Sequence, residues 1–125
     1  MFHLEKYRID PSKGLEFGIY TLGDHLANPY TGERISAEQR IEEILELAVL
    51  AEQAGVDFFS VGESHQEYFT TQAHSVVLGA IAQATKKMKL GSSSTILSTS
   101  DPVRVYEDFA TIDLLSKGRA EIVAG

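Results

Sequence analysis

Met88-Lys89-Leu90-Gly91-Ser92-Ser93-Ser94-Thr95, followed by Ile96-Leu97-Ser98-Thr99-Ser100 and Asp101-Pro102-Val103-Arg104, reads as a strand, a polar loop and a helix start. Asp101 is a good N-cap, and Pro102 fits the first helical position, where a missing N–H costs nothing. Val105, Phe109, Ile112 and Leu115 then form an apolar stripe that Gly118 terminates. After Ser116-Lys117-Gly118-Arg119, the run Ala120-Glu121-Ile122-Val123-Ala124-Gly125 begins another strand. A strand, a helix and a strand joined this closely make a right-handed crossover between parallel neighbours.

The same unit recurs upstream. Leu15 to Thr21 reads as a strand bounded by Gly14 and Gly23. Ser36 with Gln39 opens a helix by a capping box, Ile41, Ile44, Leu45, Ala48 and Ala51 share one face, and Gly55 stops it. Val56 to Gly62 is a short, nearly continuous apolar strand of the buried parallel kind. Gln72 to Thr85 reads as a small-residue helix, with Val76, Val77, Gly79, Ala80 and Ala84 expected against a sheet. The order β-α-β-α-β-α-β predicts an α/β fold with parallel strands. It fits either a doubly wound sheet or half of a (β/α)8 barrel. No glycine-rich fingerprint follows the first strand, which weakens a dinucleotide-binding reading.

Composition narrows the function. With 125 residues the chain is long enough for one domain, residues 1–125. Its net charge, 11 − 18 = −7, speaks against a nucleic-acid partner. Lys86, Lys87 and Lys89 cluster, but after a helix, where they favour its negative end. The absence of cysteine excludes disulfides, thiolate catalysis and Cys-based zinc sites. Met1 to Lys6 lacks the pattern of a signal peptide, and no apolar run is long enough to span a membrane, so a cytoplasmic location is expected. His3 is expected to be solvated.

Candidate chemistry lies just past the strands, on the face where parallel barrels keep their sites. Glu63 and His65 could share a hydrogen bond as an acid/base or orienting pair, or belong to a polar rim. Asp24, His25, Glu63 and His65 are metal-ligand types in adjacent loops, but no helical spacing supports them and no metal is expected. His74 is expected to be structural, near the mouth. Ser92 to Thr95 could let a planar ligand approach the backbone closely, or could simply bond neighbouring backbone. Tyr20, Tyr68 and Phe69 could flank such a ligand or cap the core. The loops Leu22 to Ile35 and Gln66 to Thr71 are the places where substrate choice would be set.

From residue 15 to 125 the chain resembles the bacterial luciferase-like monooxygenases. The resemblance rests on Gly62-Glu63-Ser64-His65, Leu90-Gly91-Ser92-Ser93-Ser94 with Ile96-Leu97, Asp101-Pro102-Val103-Arg104 and Ser116-Lys117-Gly118-Arg119, in that order and spacing. It implies a (β/α)8 TIM barrel, of which this is the N-terminal half. It also implies FMN, reduced by a separate nicotinamide-dependent flavin reductase, and the use of O2 to oxidise a small organic substrate. Carried over by position, Glu63 lies beside the flavin, Ser93 and Ser94 back its ring on the third strand, Leu97 lines the pocket mouth and His65 is the catalytic candidate. The peptide near Ser93-Ser94 is one that the family often strains or isomerises.

Two departures stand out. Ser64 occupies a position where many members carry a histidine that is usually given the catalytic role. A serine is no base near pH 7 without help, which bears against luciferase-type aldehyde chemistry. The flavin-phosphate groove belongs to later strands than those present. The expectation is therefore a truncated chain that self-associates through exposed half-barrel edges, turns over no substrate and binds FMN weakly or not at all. The alternatives are a non-catalytic flavin-binding protein and an assembly-only fragment without a ligand.

Overall fold

The computed structural model describes residues 10–125; the expectations for His3 and for Met1 to Lys6 lie outside the described residues. Four strands, β1 (Gly18–Thr21), β2 (Phe58–Val61), β3 (Lys89–Ser92) and β4 (Ala120–Glu121), alternate with three helices, α1 (Ala37–Gln53), α2 (His74–Ala84) and α3 (Pro102–Ser116). All three strand pairs are parallel, and the order across the sheet is β1-β2-β3-β4. That sequential order decides between the two architectures. A doubly wound sheet reverses direction at a switch point and carries helices on both faces. Here every crossover steps the same way, so the helices collect on one face, and α2 packs against both α1 and α3. This is the winding of a (β/α)8 barrel.

The core lies between that face and the helices. Phe59, Val61 and Leu90 project from the strands onto Ile44, Ala48, Leu78 and Ile81, all fully buried or nearly so. The opposite face carries Tyr20, Ser60, Gly91 and Glu121 in register. Phe58 also belongs to it, and its ring lies over two glycines. A Cβ on Gly91 would stand 2.7 Å from Phe58 Cζ, and one on Gly18 would stand 3.2 Å from Phe58 Cδ1.

The helix ends follow the sequence closely. Ser36 Oγ accepts the Gln39 N–H at 3.1 Å, and Asp101 Oδ1 accepts those of Val103 and Arg104 at 2.8 and 3.3 Å. Lys117 (φ 60°) and Gly118 (φ 88°) turn the chain out of α3. The face of α2 is a correction. Val77 is buried as expected, but Val76 is 71% exposed, and Leu78, Ile81 and Ala82 are buried beside Val77. The larger branched side chains fill the groove, and the small stripe of Gly79 and Ala80 turns away from it.

The lower end of the sheet, below the strand starts, is held by two charged side chains whose partners are backbone. The Glu52 carboxylate accepts the N–H groups of Lys86, Lys87 and Met88 at 2.7 to 2.9 Å. Burial raises its pKa, but these three donors and the nearby Arg119 charge outweigh that and hold it below the usual carboxylate range. Buried Arg119 donates to the carbonyls of Ala82, Thr85, Met88 and Ser116 and to the Thr85 hydroxyl. The lysine cluster is split: Lys86 Nζ caps the Gln83 carbonyl, as helix polarity favours, while Lys89 pairs with Glu16 at 3.0 Å.

Candidate functional site

At the upper end of the sheet β2 delivers Gly62 and Glu63, and β3 delivers Ser93, Ser94 and Thr95. The β3 ladder stops at Ser92, the Ser93-Ser94 peptide is cis, and pairing resumes as a single parallel bridge between Thr95 and Ala124. The expected strand to Thr95 is therefore interrupted at the peptide that the family resemblance singled out.

Glu63 ties these ends together. Its Oε2 accepts the Ile96 N–H at 2.7 Å, its Oε1 accepts the His65 Nε2–H at 2.7 Å, and its own N–H donates to Ser94 O at 3.3 Å. The carboxylate is 8% exposed, whereas the His65 ring is 57% exposed. Burial pushes the Glu63 pKa up, but the hydrogen bonds from His65 and Ile96, with the electrostatics of the two neighbouring imidazoles, more than reverse this and leave it lowered. The hydrogen bond expected between Glu63 and His65 is present, joining a nearly buried carboxylate to an exposed imidazole.

His74 opens α2 with no side-chain cap before it, at the upper end of the sheet as expected, and it is buried there. Its Nε2 lies 2.8 Å from Thr95 Oγ1 and its Nδ1 lies 3.8 Å from Glu63 Oε2. The Phe109 ring stands 6.1 Å from the imidazole, tilted at 50°. Sequence spacing missed this contact because His74 is separated from Thr95 by a whole α2–β3 unit. Only the helix N-terminal position of His74, directly above a strand end, could have suggested it.

The serine run divides into two roles. Ser92 Oγ donates to the Val123 carbonyl at 3.1 Å and accepts the Val123 N–H at 3.0 Å, so it serves the backbone. The half-buried Ser93 and Ser94 hydroxyls make no hydrogen bond among the described residues. Their surroundings leave no room for more side chain. A Cβ on Gly62 would stand 2.8 Å from Ser93 O, and one on Gly125 would collide with Ser94 Oγ. Leu97, in a short 3-10 turn (Leu97–Thr99), is 42% exposed beside this platform.

The two upper loops are clasped to each other. Thr70 donates its N–H and its hydroxyl to Gly23 O, at 2.9 and 3.0 Å. The buried Thr71 hydroxyl lies 2.6 Å from Leu22 O and 2.8 Å from Gly62 O, bridging the ends of β1 and β2. Asp24 pairs antiparallel with Phe69, and Gly23, at φ 66°, has a Thr71 methyl where its own Cβ would be. Asp24 and His25 are thereby drawn away from Glu63. Asp24 meets Arg40 at 3.3 Å, and His25 Nε2 reaches Ile35 O at 2.6 Å. Among the described residues no three His, Asp or Glu side chains are grouped to hold a metal, and no helix is long and apolar enough to cross a membrane.

This arrangement has close counterparts. A family model described as luciferase-like monooxygenase matches residues 15–125. The chain belongs to the luciferase-like monooxygenase family. The alkanal monooxygenase beta chain of Vibrio harveyi is 30% identical over 106 residues, covering 84% of this chain and 31% of the relative. The monooxygenase RslO1 from Streptomyces bottropensis superposes with a TM-score of 0.77 at 27% identity, over 89% of this chain and 33% of that one. The coenzyme F420 dependent tetrahydromethanopterin reductase from Methanopyrus kandleri superposes with a TM-score of 0.68 at 28% identity, over 89% and 27%. This luciferase-like chain thus spans about a third of the length of the relatives it matches. Its four strands and three helices match about a third of each of these chains.

Proposed function

We propose that this chain forms the ring-binding part of an FMN-dependent monooxygenase that uses reduced flavin and O2 to oxidise a small organic substrate. The observation that carries the reading is the side-chain-poor platform of Gly62, Ser93, Ser94 and Gly125, with two hydroxyls uncommitted and a carboxylate at its edge. A flat heteroaromatic ring with polar edges fits it. Two of the described arginines are not free for the phosphate end of the cofactor. Arg40 is engaged by Asp24 and Glu43, and Arg104 by Glu107. Weak FMN binding by the chain alone follows.

Bound reduced flavin would supply two electrons, so that one oxygen atom of O2 enters the substrate and the other leaves as water. The chain's own residues act around that chemistry. Glu63 fixes the β3 end through Ile96 and orients His65, the exposed group able to hold or move a proton at Nδ1. Leu97 and the clasped loops restrict water at the mouth. FMN is favoured over a deazaflavin by the monooxygenase names among the relatives, although the reductase neighbour uses F420. The flavin would be reduced by a separate nicotinamide-dependent reductase, and the location would be cytoplasmic.

A non-catalytic flavin-binding protein is the second reading, favoured by Ser64, whose hydroxyl has no partner among the described residues. An assembly-only role is the third. Joined to the remaining units of a family barrel, the chain is expected to bind FMN, and to consume O2 when NADH and a flavin reductase are present. Ser93→Val with Ser94→Val should weaken FMN binding by roughly tenfold or more, from crowding of the platform. Binding without oxygen uptake selects the second reading. A folded barrel that ignores FMN selects the third.

A further inference from the structure

We propose that His74 is a positioning residue for Glu63, carrying its proton on Nδ1, so that the carboxylate is held between one dry and one wet imidazole. The inference rests on reading Glu63 and His65 as the reactive edge of the site, which makes the charge and orientation of Glu63 matter.

The tautomer follows from what each ring nitrogen faces. Thr95 has its backbone N–H and carbonyl engaged in the bridge to β4, at 2.9 Å to Val123 O and 2.8 Å from Gly125 N, so its position is fixed. Its hydroxyl, 2.8 Å from His74 Nε2, can donate or accept. Glu63, ionised, can only accept. Were Nδ1 the bare nitrogen, its lone pair would face the Glu63 carboxylate at 3.8 Å, which is repulsive. With the proton on Nδ1 the N–H dipole points at the carboxylate, and Nε2 accepts from the Thr95 hydroxyl. Both contacts are then favourable.

The ring is neutral for separate reasons. It is buried, and it sits in the first turn of α2, where the positive end of the helix dipole opposes a cation. The charged groups that face it are Glu63 from the β2–α2 loop, Asp108 from α3 and His65 beyond Glu63. Asp108 is itself turned to the Ser75 hydroxyl at 2.8 Å. Burial lowers the His74 pKa, and the Glu63 and Asp108 charges only partly offset it. Glu63, His74, Thr95, Asp108 and Phe109 border a cavity of about 290 Å³ between the starts of α2 and α3.

The test reads the two nitrogens and the carboxylate directly, in the chain itself and without flavin. Imidazole nitrogen NMR near neutral pH should show His74 with Nδ1 protonated and Nε2 bare; the opposite tautomer, or a cationic ring, overturns the proposal. Two variants separate the contacts. Asn places its amide near the Nδ1 position, and Gln places it near Nε2. In His74→Gln the Glu63 carboxyl, followed by carbon NMR, should bind its proton roughly threefold more tightly, whereas His74→Asn should leave it near wild type. Equal behaviour in the two variants means that His74 serves packing only. If neither variant folds, the wild-type tautomer still decides. A chain that fails to bind FMN leaves this outcome untouched, and the wrong tautomer leaves the flavin reading untouched.

Discussion

At the scale of single residues, the carboxylate of Glu63 sets the behaviour of the upper end. It is nearly dry, yet it has three partners that favour its charge: the Ile96 N–H, His65 and, at longer range, His74. Its pKa is lowered in the fold, and so is that of His74. Both signs point the same way. A depressed histidine leaves the unfolded chain holding more protons as pH falls below the ordinary 6.5, and a depressed carboxylate does the same below the ordinary 4.5. Stability contributed by His74 is complete above 6.5 and is lost first on acidification; that from Glu63 follows below 4.5. Urea midpoints measured from pH 8 down to pH 2 should therefore fall in two stages. In His74→Asn the first stage should disappear, and a midpoint flat across pH 6 in the wild type would contradict the assignment.

At the scale of elements, the connections are secured by side chains that reach backbone. Glu52, at the end of α1, gathers three N–H groups from the turn between α2 and β3. Glu52→Ala would strand those donors and is expected to cost about 2 kcal/mol, visible as a lower thermal midpoint, whereas Glu46→Ala on the same helix should cost little. Glu52 also shows why legibility was uneven. Helix starts and stops were readable because Ser36 and Asp101 act on groups two or three residues away and Gly118 on one only five residues back. The parallel strands were readable because their apolar runs are short and bounded. The Glu52 cap and the His74–Thr95 contact were not, since each joins residues far apart in sequence through a packing arrangement. Within the site, the Glu63–His65 pair was legible for the same local reason, being two residues apart. The face of α2 was misread in part because small residues were taken as sheet-facing: Val77 was placed rightly, but the volume between α2 and the sheet also calls for Leu78 and Ile81.

At the scale of the whole molecule, the sequential order of parallel strands puts all the helices on one face and leaves the other face without a layer among the described residues. β1 and β4 each pair on one side only there. Tyr20 is 65% exposed, and Phe17 is 67% exposed. Unpaired strand edges and apolar surface of this kind favour association. On its own, the chain should sediment as a dimer or larger species at micromolar concentration, with the fraction rising as it is concentrated; a stable monomer at that concentration would exclude pairing through the open sheet. The contrast between the two ends of the sheet has its own consequence for evolvability. Below, Glu52 and Arg119 are locked to the main chain by many bonds, so almost any replacement there is paid in stability. Above, the Ser93 and Ser94 hydroxyls make no hydrogen bond among the described residues, and Leu97 projects from a short turn. Libraries randomised at Leu97, and at Ser93 and Ser94 among side chains no larger than serine, should retain a high proportion of folded variants, and selection for new ligands could proceed there with little compensating mutation elsewhere.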